Sequence, residues 1–171
     1  MAYLSFPENL MVIPGLAPTV GTGAEQTSIP ISLKNVQKLW AVVYLNTAGA
    51  SAAVASVPQT DTLVAFGSAA ILPATLHTVP IWVNLSAAVS DAWTKQTDAT
   101  NYTSIANANA KMVVYEIDPS LIRTTVTAAS ADDCFRISLT AVNAADYAAV
   151  FYIVQPRYPS AVATQATYIT D

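Results

Sequence analysis

The stretch Phe135-Arg136-Ile137-Ser138-Leu139-Thr140 decides the fold. Phe135, Ile137 and Leu139 alternate one for one with Arg136, Ser138 and Thr140. Successive side chains of a strand point to opposite faces, so this period of two describes a strand with one buried and one wet face. Outward from it, other short strands can be read. Lys38 to Asn46 is a fuller apolar strand that ends in Asn46-Thr47-Ala48-Gly49. Val79 to Leu85 centres on Trp82, Lys111 to Ile117 stops at Asp118-Pro119, and Ala148 to Gln155 stops at Pro156. Leu63 to Gly67 adds another. Ile29, Ile31 and Leu33 alternate with Ser28, Pro30 and Ser32, and Pro30, which lacks a donor, places that strand at an edge. Short strands separated by turn chemistry, with no long helical period, predict an all-β fold: an antiparallel β-sandwich or a jelly-roll-like barrel.

Residues 1–27 read differently. Pro7, Pro14 and Pro18 alternate with Gly15, Gly21 and Gly23, which disfavours a regular element. Yet Tyr3, Phe6, Leu10, Val12 and Ile13 are too apolar for a free linker. The expectation is an extended N-terminal arm over 1–27, lying on a neighbour or along its own domain, followed by a single β-sandwich domain over 28–171. Helix is scarce. Pro119 to Arg123 fits one turn capped by Asp118, and Asn101 to Lys111 has room for another short piece. Ala48 to Val57 is helical on propensity, but its serines, Gly49 and Pro58 suit a loop or irregular strand as well.

Composition narrows the function. The chain has 171 residues, 31 of them Ala and 19 Thr, and hydrophobic residues make up 53%, so much of its apolar content is small methyl-bearing surface. Charged residues are 11%, against about a quarter in ordinary soluble domains. A net charge of -4 offers no basic field for nucleic acid or an acidic membrane. Few charges suit a surface that meets other proteins, or simply a neutral-surfaced β-protein. The single cysteine, Cys134, leaves no internal disulfide and no zinc site of two thiolates. Met1 to Pro7 lacks the basic and apolar regions of a Sec signal, and Leu39 to Leu45 is far shorter than a membrane span of about 20 residues. A soluble chain made in a cytosol is expected.

Catalytic groups are sparse. The one histidine, His77, has no Gly-x-Ser-x-Gly elbow to serve, and a His77–Cys134 dyad competes with a plain polar loop residue. Glu116 and Asp118 share a strand face, a spacing for paired acids or for a solvated strand end before the Asp-Pro turn. Asp132-Asp133 is explained by turn formation. No calcium loop, P-loop or dinucleotide fingerprint is present. The reading is of a protein that is not an enzyme, with no catalytic residue, metal, cofactor or small-molecule substrate. Among the aromatics, Trp40 and Trp82 lie in apolar strands and are expected in the core. Trp93, flanked by polar residues, suits exposure or an interface, and so do Arg157 and Tyr158.

A series of segments in the second half resembles a known family. Val79-Pro80-Ile81-Trp82-Val83-Asn84 comes first, then Gln96-Thr97-Asp98-Ala99, then Lys111 through Pro119 with Val113-Val114-Tyr115-Glu116-Ile117-Asp118-Pro119. Asp133-Cys134-Phe135-Arg136-Ile137 and Tyr152 through Tyr158 follow, with a tail ending Ile169-Thr170-Asp171. In this order they resemble small structural proteins of tailed bacteriophages and prophages, over about residues 28–171 and most strongly from 79 onward. The Ala-rich segment Ala48 to Pro73 and the Pro/Gly arm depart from the family pattern. The resemblance implies a virion component, foremost a capsid decoration or cement protein on the head surface. Its partners would be the major capsid protein and further copies of itself, as a homotrimer, with neither nucleic acid nor membrane bound. A minor head fibre, a tail component and a shell-forming protein are the alternatives, with a carbohydrate-binding sandwich using Trp93 behind them. Tyr3, Phe6, Leu10, Val12, Ile13, Trp93, Arg157 and Tyr158 are the candidate assembly contacts.

Overall fold

The alternating stretch forms a strand (Cys134–Leu139) whose apolar residues Phe135, Ile137 and Leu139 are fully buried. Each such side chain contributes about 1.5–3 kcal/mol by leaving water. A computed structural model describes residues 9–47, 53–61, 78–106, 109–122, 134–140 and 142–157. Its elements in chain order are β1 (Met11–Val20), β2 (Gln26–Thr27), β3 (Ile31–Ser32), β4 (Val36–Asn46), β5 (Ala55–Asp61) and β6 (Ile81–Asn84). Then come β7 (Thr94–Lys95), β8 (Tyr102–Thr103), β9 (Ala110–Ile117), the helical turn α1 (Pro119–Ile122), β10 (Cys134–Leu139) and β11 (Tyr147–Pro156). The strand expected at Leu63 to Gly67 lies outside the described residues.

Two antiparallel sheets pack face to face as a sandwich. One has six strands in the order β1-β11-β4-β9-β6-β7; the other runs β2-β10-β5-β8, with β3 also on β10. Long apolar strands β4, β9 and β11 form the middle of the larger sheet, in continuous register from Leu39↔Ile117 to Asn46↔Ala110 and from Tyr147↔Asn46 to Gln155↔Lys38. Their inward residues, among them Leu39, Val43, Val113 and Val154, meet Phe135, Ile137 and Ile31 of the smaller sheet in one core. Phe135 sets its ring edge-on to Tyr152, with centroids 5.9 Å apart.

Two tyrosines bridge the layers. Tyr115 on β9 donates its hydroxyl to the Ser56 carbonyl at 2.8 Å and lies 2.5 Å from Ser56 Oγ on β5. Tyr152 on β11 bonds Ser28 Oγ and, at 3.3 Å, donates to the Ile29 carbonyl. Burial pushes both phenols well above their ordinary range. At one end of the sandwich Lys111, also fully buried, donates from Nζ to Thr47 Oγ1 at 2.7 Å.

Of the two placements open to the arm, its described part takes the one along its own domain, and two stretches of it are strands of the sandwich: Met11–Val20 pairs with β11, and Gln26–Thr27 with β10. Pro14 and Pro18 are accommodated because β1 is an edge strand, and register shifts between Pro14/Leu16 and Leu16/Thr19 absorb the irregular backbone. Gly21 then lets the chain turn away. A Cβ there would lie 2.0 Å from the Asn143 carbonyl oxygen, a clash with backbone that cannot move aside. Gly21 N–H donates to the Asp146 carbonyl and Gly23 N–H to that of Val142, each at 2.8 Å, pinning the crossing from one sheet to the other.

The remaining expectations divide. Pro119–Ile122 is the capped turn predicted, with Ser120 N–H donating to Asp118 Oδ1 at 2.9 Å. The ambiguous stretch before Val57 enters strand β5 at Ala55, whereas the short helix expected in Asn101 to Lys111 is replaced by β8 and the start of β9. There, pairing of Tyr102 with Ser56 and of Ala110 with Asn46 satisfies the backbone across strands instead.

Candidate functional site

The middle of the outward face of the six-stranded sheet is apolar, like its inward face, and Lys38, Glu116 and Gln155 stand at one end of it. Strand register explains how it is laid out. Val12, Ile153 and Trp40 stand side by side across β1, β11 and β4. The next row that way carries Phe151, Val42 and Val114, and Met112 follows beside Tyr44. With both alternating positions apolar, these strands keep β-propensity but turn hydrocarbon to both sides.

Trp93 is brought over this face by the chain between β6 and β7. Asn84, only 4% exposed, organises that turn from both ends of its amide: Oδ1 accepts from Ser86 N–H at 2.9 Å, and Nδ2 donates to the Ser90 carbonyl at 2.7 Å. Ala87 N–H donates to the Ala110 carbonyl at 2.8 Å, tying the turn to β9. Ala92 N–H donates to Ser90 Oγ at 3.1 Å, immediately before Trp93. The rigid turn holds Trp93 41% exposed on one flank, with Leu10 and Val12 of the β1 side on the other. Between them lies an open trough of about 570 Å³ floored by Trp40, Val42, Met112, Val114, Phe151 and Ile153. No lining residue carries a charge, a hydroxyl or an amide side chain.

Two ion pairs lie near the trough, and the exposed Asp91 stands two residues before Trp93. Lys38 Nζ donates to Glu116 Oε2 at 3.2 Å and sits 5.1 Å from the centroid of the Trp40 ring. Lys95 Nζ and Asp98 Oδ1 are 3.7 Å apart beyond β6. Such exposed pairs contribute little to stability.

The structure brings together three of the predicted contacts, Leu10, Val12 and Trp93, on one surface. It removes a fourth: Ile13 points the other way, into the sandwich core, and is 5% exposed. Arg157 is exposed beyond β11, where its N–H donates to the Asn35 carbonyl at 2.7 Å, away from the trough lining. Tyr3, Phe6, Tyr158 and His77 lie outside the described residues. Trp40 and Trp82, expected in the core, are half-buried on outward positions instead. Sequence reasoning missed Trp40, Met112, Phe151 and Ile153 as surface residues, since a continuous apolar strand does not declare which side is inward.

The other candidates are accounted for by local bonding. Glu116 and Asp118 both line a smaller cleft of about 270 Å³ beside α1, but Glu116 pairs with Lys38 and Asp118 caps the helical turn. Ser120, through its hydroxyl and N–H, holds the Asp118 carboxyl below its usual range. Cys134 is buried between Ser32 and Asp61 on the neighbouring strands. Among the described residues no three His, Cys, Asp or Glu side chains gather to hold a metal ion. No family model and no curated protein matches this chain.

Proposed function

We propose that this chain is a virion structural protein of a tailed bacteriophage, a capsid decoration protein that adheres to the head shell and works by binding alone. The observation that carries the reading is the open apolar trough on the outer face of the larger sheet, whose lining carries no charged side chain. Exposed, contiguous hydrocarbon of this kind marks contact with protein. A sugar site needs hydroxyl, amide or charged side chains among its aromatics, and the trough lining has none, which favours a protein partner over a carbohydrate. The ordered segments resembling phage structural proteins supply the virion. Weak contacts repeated over many symmetric copies suffice to stabilise a shell.

The test is addition of the purified chain to heads of the encoding phage stripped of it, followed by sedimentation and cryo-electron microscopy. Saturable binding in symmetric positions on the shell is expected. Density confined to the tail or to a few head fibres, or no co-sedimentation, overturns the decoration reading.

A further inference from the structure

We propose that Lys111 and Asp146 join through an amide between their side chains, an intramolecular cross-link that forms after folding with loss of one water. The inference goes beyond adhesion and does not rest on it.

Burial is the first argument. The Lys111 and Asp146 side chains are both fully buried. Taking an ammonium and a carboxylate out of water is costly even when the two attract each other, and an amide carries neither charge. Burial lowers the Lys111 pKa and the Asp146 charge raises it, burial being the larger cause. The amine is thereby driven toward its neutral, nucleophilic form.

Register is the second argument. β9 and β11 flank β4, with Lys111 opposite Leu45 and Tyr147 opposite Asn46. One residue further out, the same antiparallel register sets Thr47 beside Asp146. Lys111 Nζ already reaches this point, since it donates to Thr47 Oγ1 at 2.7 Å, and Thr47 is itself 3% exposed. Two strand spacings, about 10 Å, separate β9 from β11, a gap that a lysine stem and an aspartate close between them. The Asp146 backbone is pinned on both sides: its N–H donates to the Asn143 carbonyl at 2.9 Å, and its carbonyl accepts from Gly21 N–H at 2.8 Å. Holding amine and carboxyl together in this way removes the entropy cost of bringing them to each other.

The step balances within the pair. Nζ gives one proton to the carboxylate, leaving a neutral amine and a carboxylic acid. The Nζ lone pair attacks Cγ, the bond from Cγ to its hydroxyl breaks, and the hydroxyl leaves as water with a second Nζ proton. Nothing is oxidised or reduced, and no co-reactant enters. The product ties β9 to the entry of β11 across β4, a constraint of the kind a disulfide supplies in chains with more than one cysteine.

Intact-mass spectrometry of the purified full chain decides the matter. The parent should weigh one water less than its sequence, and Lys111→Met and Asp146→Ala should each return to the full mass. Trypsin should leave the parent uncut after Lys111 and release one branched peptide holding both residues, which separates the cross-link from a cyclised aspartate. A parent at full mass leaves a buried ion pair only and overturns the proposal. So does a water lost at another position, or one still missing in Lys111→Met. Head binding enters none of these readouts, so decoration and cross-link fail separately.

Discussion

On the outward side of β10, Arg136 Nε donates to Gln59 Oε1 at 2.6 Å, and the Ser138 hydroxyl donates to the Glu25 carboxylate. On the outward side of β4, Val42 lies between Phe151 and Val114, and Trp40 between Ile153 and Glu116. The smaller sheet thus satisfies its outer surface within the chain, even where Gln59 and Ser138 are buried. The larger sheet leaves its outer surface as an apolar trough. The strands are alike in period and propensity; they differ in what their second face asks for. A polar second face is completed by neighbouring side chains, whereas on the reading proposed above the apolar one is completed by another molecule. That reading assigns the first to stability and the second to adhesion, and substitutions on the two faces should separate along that line.

The largest effect is expected from making the larger sheet's outer face resemble the smaller one. Met112→Gln combined with Ile153→Arg places hydrogen-bonding groups on the trough floor. Adhesion should fall by about 100-fold, because each group must be desolvated without a partner across the interface. Stability should change by only about 0.5 kcal/mol, since both positions face outward. Binding and urea titrations on the same samples check both halves. A large stability loss with adhesion intact would dissolve the distinction between the faces.

The converse test follows on the smaller sheet. Arg136→Ala deprives Gln59, 7% exposed, of the donor to its side-chain oxygen. The expected cost is about 1–3 kcal/mol in urea unfolding, with adhesion unchanged. Smaller still is the loss on removing either bridge between the layers. Tyr115→Phe and Tyr152→Phe keep the ring and lose the hydroxyl, while Ser56 Oγ still donates to the Tyr102 carbonyl and Ser28 Oγ to that of Ile137. About 1 kcal/mol each is expected, because no buried serine is orphaned.

The same division governed what could be read from the residues. β10 was legible because Arg136 and Thr140 declare its wet side, and β4, β9 and β11 were legible as strands because branched and aromatic residues run through them. Their orientation was hidden, since Trp40 and Val42 are as apolar as Leu39 and Val43; the candidate site was therefore legible only at Leu10, Val12 and Trp93. β1 was missed for a different reason. Pro14, Gly15 and Pro18 read as breakers, and only tertiary position shows that an edge strand with bulges tolerates them. Pro58 similarly obscured β5, though among the described residues β8 covers only Ala55 and Ser56, so the missing donor at Pro58 interrupts no ladder on that side.

The smallest effect is expected at the charged end of the larger sheet, where Asp118 closes β9 and starts α1. Its folded carboxyl is held below the ordinary range, chiefly by the Ser120 hydroxyl and N–H. A depressed carboxyl contributes stability that is fully present above its unfolded pKa, about 4. That contribution is lost as pH falls through the folded value. Asp118→Asn keeps a capping oxygen and removes the titration, so parent and variant should differ slightly at neutral pH. The parent's advantage should shrink below about pH 4, when its carboxyl takes up a proton. Urea unfolding of both proteins across that range measures the difference. An advantage that grows on acidification would mean that Ser120 does not favour the charged form. Adhesion should follow neither curve, because Asp118 lies outside the trough lining.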